Sequence, residues 1–136
     1  MTTPLPATIV VADDEADIRR LVAFSLRRRG HTILEATTGT EAEDLIRETQ
    51  PDLAILDVTM PDQTGIDVVR ALASDERCKH IPIVLLSAKG QPQEIEAGLA
   101  VGATAYLVKP FSPRDLAEQV GLILARAGMG SGEVTE

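Results

Sequence analysis

The segment Leu53-Ala54-Ile55-Leu56-Asp57 decides the fold: four apolar residues end on a carboxylate, and the turn-forming run Met60-Pro61-Asp62-Gln63-Thr64-Gly65 follows shortly after. A strand with one wet face alternates polar and apolar residues, whereas a strand covered by helices on both faces is continuously apolar. The segment therefore reads as a central strand of an α/β sheet. The arrangement recurs on either side of it. Thr8-Ile9-Val10-Val11 leads to Asp13 and Asp14, Ile83-Val84-Leu85-Leu86 to Ser87, and Tyr106-Leu107-Val108 to Lys109. In an open parallel sheet all strands end on one edge, and ligands bind there where the strand order reverses. Three carboxylates, a hydroxyl and an ammonium, scattered from Asp13 to Lys109, are thus expected to converge on one shallow pocket.

Helical patterns separate these runs, so the chain reads βαβαβαβαβα. Strands are expected over 8–12, 32–36, 53–56, 81–86 and 105–109, with Pro82 tolerated at the start of the fourth. The first helix takes Asp14 as N-cap, sets Ile18, Leu21, Val22, Ser25 and Leu26 on one face, and ends at Gly30. The second, over 40–48, buries Ala42, Leu45 and Ile46 and stops before Pro51. The third covers 65–74. The fourth, over 92–101, is weak, because Gly90, Gly98 and Gly102 lie in or beside it and an interior glycine costs about 1 kcal/mol relative to alanine. The fifth opens with Ser112 as N-cap and Pro113 in its first turn, and presents Leu116, Val120, Ile123 and Leu124. The expected fold is α/β, a doubly wound (βα)5 sandwich with parallel strand order 2-1-3-4-5 over residues 7–127. Residues 1–6 and 128–136 read as flexible tails.

A length of 136 residues suits one domain, and with 44% hydrophobic but only 2% aromatic residues the core must be built from Val, Ile, Leu and Ala. The net charge of −8 speaks against nucleic acid as a partner, since phosphate binding needs clustered Lys and Arg. The basic run Arg27-Arg28-Arg29 closes the first helix, where cations favour the negative end of the dipole. The single cysteine, Cys78, sits in a polar stretch and cannot form an intramolecular disulfide, which is compatible with a reducing compartment. No leader pattern opens the chain and no apolar run approaches the roughly 18 residues of a membrane helix. A cytoplasmic location without membrane contact is expected.

Three carboxylates at neighbouring strand ends repel one another, and a hard divalent cation relieves that repulsion. Mg²⁺, or Mn²⁺, takes oxygen ligands and usually only one or two carboxylates. Asp14 and Asp57 are the expected ligating carboxylates, with Asp13 acting through water. A carboxylate at the floor of such a pocket is also a potential nucleophile, and Asp57 is best placed to form an aspartyl-phosphate. Transfer of a phosphoryl group spreads charge over three oxygens. Lys109 would neutralise one as a point charge and the Ser87 hydroxyl would donate to another.

At this point the chain resembles a family, the receiver domain of bacterial two-component response regulators, whose fold is flavodoxin-like. The resemblance rests on Val10-Val11-Ala12-Asp13-Asp14-Glu15, on Leu56 through Gly65, on Leu85-Leu86-Ser87-Ala88, and on Gly102 through Phe111. It implies a phosphorylation switch in which a histidine kinase or histidine phosphotransfer protein donates its phosphoryl group to Asp57. It further implies that Asp14, Asp57 and the backbone carbonyl of Thr59 hold Mg²⁺, with Asp13 in the shell behind. Ser87 and Tyr106 become the conformational readout pair, and the surface of helix four, strand five and helix five meets a downstream protein target. Lys109-Pro110 resembles the family's cis junction. Thr59 and Lys89 stand where they would tune phosphoryl lifetime.

A different class of function, a Mg²⁺-dependent phosphohydrolase with an aspartyl-phosphate intermediate, would need a second carboxylate two residues after the nucleophile and a cap against water. Thr59 occupies that position and the connections are short, so the expectation is a signalling domain rather than an enzyme. A flavodoxin-like electron carrier is disfavoured by an acidic first loop and by a chain whose aromatics are Phe24, Tyr106 and Phe111. The sequence leaves open whether this receiver stands alone or within a longer protein, and whether it forms a homodimer through helices four and five on phosphorylation.

Overall fold

The computed structural model describes residues 6–127; of the tails expected at 1–6 and 128–136, residues 1–5 and 128–136 lie outside the described residues. Five parallel strands, β1 (Thr8–Ala12), β2 (Thr32–Ala36), β3 (Leu53–Asp57), β4 (Ile83–Ser87) and β5 (Ala105–Val108), form one sheet in the order β2-β1-β3-β4-β5. The helices are α1 (Ala16–Arg27), α2 (Gly39–Thr49), α3 (Gly65–Ala73), α4 (Pro92–Ala100) and α5 (Pro113–Arg126). The expected doubly wound sandwich is the observed one.

Strand alternation divides the core in two. Ile9, Val11, Leu53, Ile55, Val84 and Leu86 pack with Val22, Ala23 and Leu26 of α1 and Leu116, Val120, Ile123 and Leu124 of α5. Val10, Ala12, Ala54, Leu56, Ile83 and Leu85 pack with Ala42 and Ile46 of α2 and Val68, Val69 and Leu72 of α3 on the other face. Every residue of β3 and β4 is buried, which is why these runs lack polar breaks.

Several boundaries differ from the sequence reading, each for a local reason. Asp14 does not cap α1. The N-cap is Glu15, without a side-chain cap bond, and it is Asp13 Oδ1 that accepts from the Glu15 backbone N–H at 2.9 Å. Leu21, expected on the inner face of α1, is 47% exposed, and Ala23 takes a buried position instead. α2 is one residue longer at each end, with Thr38 as cap at its start and Gln50 in a left-handed conformation (φ 51°) at its end. β4 begins at Ile83 because the Ile81 N–H is spent on the Cys78 carbonyl in the preceding turn. Cys78 itself is buried beneath that turn rather than lying on a polar surface. β3 and β4 each run one residue further, so that Asp57 and Ser87 are the last rungs of their ladders, opposite Leu86 and Val108. β5 stops at Val108, yet the Lys109 N–H still donates to the Ser87 carbonyl at 2.7 Å.

One glycine ties the fold to the sheet edge. A Cβ on Gly65 would stand 2.4 Å from the Asp57 carbonyl oxygen, so only glycine allows α3 to begin against the end of β3. Gly65→Ala is expected to cost about 2 kcal/mol or more, read as a lower urea midpoint at unchanged slope, because the neighbour is backbone and cannot move aside.

Candidate functional site

Strand ends bring the charged residues together as expected. Asp13, Asp14 and Asp57 each place a carboxylate oxygen within 4.8 Å of the others, with Asp13 and Asp57 buried and Asp14 exposed. Lys109 Nζ lies 3.0 Å from Asp13 Oδ2 and 3.4 Å from Asp57 Oδ1, its side chain only 9% exposed. Alternation places Asp13, Asp57 and Lys109 in phase with the residues facing α1 and α5, which is why these three meet. The Lys109–Pro110 peptide is cis.

Three residues to which the sequence reading assigned no role complete this cluster or its readout. Glu15 Oε1 accepts from Lys109 Nζ at 3.0 Å, a third carboxylate on the same ammonium. Arg19 donates to the Asp13 carbonyl at 3.0 Å while its Nε donates to Glu35 at 3.0 Å, which fixes the backbone beneath the site. Glu94 engages both Ser87 and Tyr106. Glu15 and Glu94 sit at or near helix starts, where a carboxylate reads as a dipole partner, and no local signal separates that role from a tertiary one.

Ser87 does not join the carboxylates. Its place in β4 is in phase with Leu85, on the face toward α2, α3 and α4, and its Oγ donates to Glu94 Oε1 at 2.5 Å and accepts from the Lys89 N–H at 3.1 Å. Tyr106, paired with Leu85 in the sheet, packs on the same face and its hydroxyl also donates to Glu94 Oε1. Thr59 is exposed in the loop after β3.

Electrostatics follow from this placement. Burial first and the Asp13 carboxylate second push Asp57 up to about 7, against the pull of Lys109. Burial by itself would lower Lys109, but Glu15, Asp13 and Asp57 outweigh it and hold its pKa above the ordinary lysine value. Burial and then Glu94 push Tyr106 to about 12. Asp13 Oδ2 is buried and faces the Lys109 ammonium at 3.0 Å as an ion pair, one that Lys109 shares with Glu15 and Asp57. An all-oxygen donor set of three carboxylates with only one ammonium among them fits a hard divalent cation.

The sequence pattern of the response regulator receiver domain matches residues 9–121. The chain belongs to this family. The receiver is 42% identical over 126 residues to the phosphate regulon transcriptional regulatory protein PhoB of Pseudomonas aeruginosa, covering 93% of this chain and 55% of that protein. It spans about half the length of the curated relatives it matches. Among solved structures, a putative response regulator from Chloroflexus aurantiacus superposes with a TM-score of 0.84 at 34% identity, covering 90% of the receiver and 100% of that chain. Chemotaxis protein CheY4 of Vibrio cholerae gives 0.83 at 34% identity, with 88% and 100% covered. The receiver is thus a signalling domain of the phosphorylation-activated two-component type.

A carboxyl raised on folding binds a proton that the unfolded chain has already lost. Without divalent cations, the Asp57 contribution to stability is therefore greatest below its unfolded pKa near 4 and is lost as the pH rises through about 7. Asp57→Asn is expected to remove most of that slope and to stabilise the metal-free protein at pH 8 by about 2–4 kcal/mol, measured by urea unfolding across pH in the presence of a chelator.

Proposed function

We propose that Asp57 is the phosphoacceptor of this receiver. The observation that carries the reading is the buried Asp57 carboxylate with Lys109 Nζ 3.4 Å away and two further aspartates beside it. An Asp57 oxygen attacks the phosphorus of a phosphohistidine, the P–N bond breaks, and the imidazole leaves with its electron pair, giving an acyl phosphate on Asp57. Lys109, already at the site, turns from carboxylate to phosphoryl oxygen and neutralises the charge that the transfer spreads.

Asp14, Asp57 and the Thr59 backbone carbonyl would hold Mg²⁺ or Mn²⁺, with Asp13 behind them through water, and the bound ion would supply charge neutralisation on the phosphoryl oxygens. Ser87 then becomes a donor to the phosphoryl group, and Tyr106 follows it. The donor is a histidine kinase or histidine phosphotransfer protein, and the output is a protein contact at α4, β5 and α5. Self-phosphorylation and slow hydrolysis of the acyl phosphate are the only chemistry. Thr59, where a phosphohydrolase would carry its second carboxylate, supports that reading.

A net charge of −8 favours protein over nucleic acid as the receiver's own contact, while a relative named as a transcriptional regulator points to gene control as the output of a longer protein. Among the described residues no helix is long and apolar enough to cross a membrane, which supports a cytoplasmic site of action.

Incubation with Mg²⁺ and acetyl phosphate is expected to add one labile phosphoryl group by intact mass, and Asp57→Asn to add none; equal gain in the variant would overturn the assignment. Mg²⁺ is expected to raise the melting temperature of the native chain, with most of that rise lost in Asp57→Asn and retained in Lys109→Ala.

A further inference from the structure

The Ser87 and Tyr106 hydroxyls are both committed to one oxygen, Oε1 of Glu94, in the first turn of α4. Little else fastens this helix. Its N-cap, Gln91, makes no side-chain cap bond, and Gly98 is its one buried residue. At Gly98 the helix lies so close to the sheet that a Cβ would stand 2.7 Å from Leu85 Cδ1 and 3.6 Å from the Tyr106 ring. Gly90 before the helix (φ 63°) and Gly102 after it (φ 120°) adopt conformations that glycine enters without strain. α4 is therefore jointed at both ends and held through a glycine seat and a carboxylate.

A serine hydroxyl has one proton. Ser87 cannot donate to Glu94 and to a phosphoryl oxygen together. We infer that Glu94 is a latch: its carboxylate holds Ser87 and Tyr106 in the resting arrangement, and release of both hydroxyls from Glu94 is the step that frees α4. This rests on the proposed chemistry at Asp57. A phosphoryl group there offers Ser87 a more highly charged acceptor. Once Ser87 turns, Glu94 has lost one of its two donors and faces added negative charge across the strand end, which drives the first turn of α4 outward. Glu94 touches no reacting atom. It is a positioning residue that sets how much of the receiver is competent to hold the phosphoryl group, and apparent affinity scales with that fraction.

The chain offers a clean probe, because Tyr106 is its only tyrosine and it has no tryptophan. A phenol hydrogen-bonded to a carboxylate emits weakly, since the excited phenol passes its proton to the acceptor. The native receiver is expected to be dim and to brighten when Mg²⁺ and beryllofluoride, a phosphoryl mimic, are added. Glu94→Ala is expected to be bright from the start, to change little on addition, and to bind beryllofluoride about tenfold more tightly, the worth of one charge-assisted hydrogen bond. Glu94→Gln, which keeps an acceptor oxygen without the charge, is expected to fall between. Glu96→Ala removes the same charge from an exposed position on the same helix and is expected to behave as the native chain. If the native chain binds beryllofluoride while Glu94→Ala matches it in emission and affinity, or if Glu96→Ala gains as much, the latch is wrong and the reading of Asp57 stands. If the native chain fails to bind it, the reading of Asp57 falls and the latch falls with it.

Discussion

A single buried ammonium makes this sheet edge possible. Asp13 and Asp57 are both buried at the ends of adjacent strands, and Lys109 reaches them from the far strand while also gripping Glu15. Two carboxylates in a low-dielectric edge without a counter-charge would be protonated or would force the strands apart. Lys109 relieves this only in part, which is why the Asp57 carboxyl is held near neutrality rather than in the ordinary carboxylate range. The fold thus carries an unfinished electrostatic balance, three carboxylates against one ammonium, which a divalent cation is suited to complete. A site that is incompletely compensated at rest responds strongly when charge is added to it.

Strand alternation distributes the two halves of a switch onto opposite faces. Asp13, Asp57 and Lys109 fall in phase with the residues under α1 and α5, whereas Ser87 and Tyr106 fall in phase with those under α2, α3 and α4. The carboxylate cluster and the hydroxyls engaged by α4 therefore share one sheet but not one layer. Ser87 ends β4 immediately beside β3, whose last residue is Asp57. The glycine seat at Gly98 sets the helix with the fewest buried residues over Ser87 and Tyr106 rather than over the carboxylates.

Much of this was legible in the chain. The runs at 53–56 and 83–86 could only be strands covered on both sides, and the polar residue that ends each run had to lie on the common edge. Parity alone would have sorted Ser87 from Asp57, since each strand's apolar residues alternate between two helix layers. The misreadings were local. Asp14 looked like a cap because a carboxylate before a helix usually is one, yet the neighbouring Asp13 takes the N–H of Glu15 and leaves Asp14 to solvent. Leu21 fitted the helical spacing but is exposed, and Ala23 takes a buried position instead.

What the sequence determined by itself was the layer order, the common edge on which the strands end and the convergence of Asp13, Asp14, Asp57 and Lys109, because each follows from apolar periodicity and from the parallel topology that periodicity imposes. What only the tertiary structure decided was who satisfies whom: Glu15 on Lys109, Arg19 on the Asp13 carbonyl, and Glu94 on Ser87 and Tyr106 together. These pairings depend on how far each helix stands from the sheet and on its rotation about its own axis. A hydrogen bond is sensitive to tenths of an ångström, whereas the pattern of apolar residues specifies a helix face only to within a fraction of a turn.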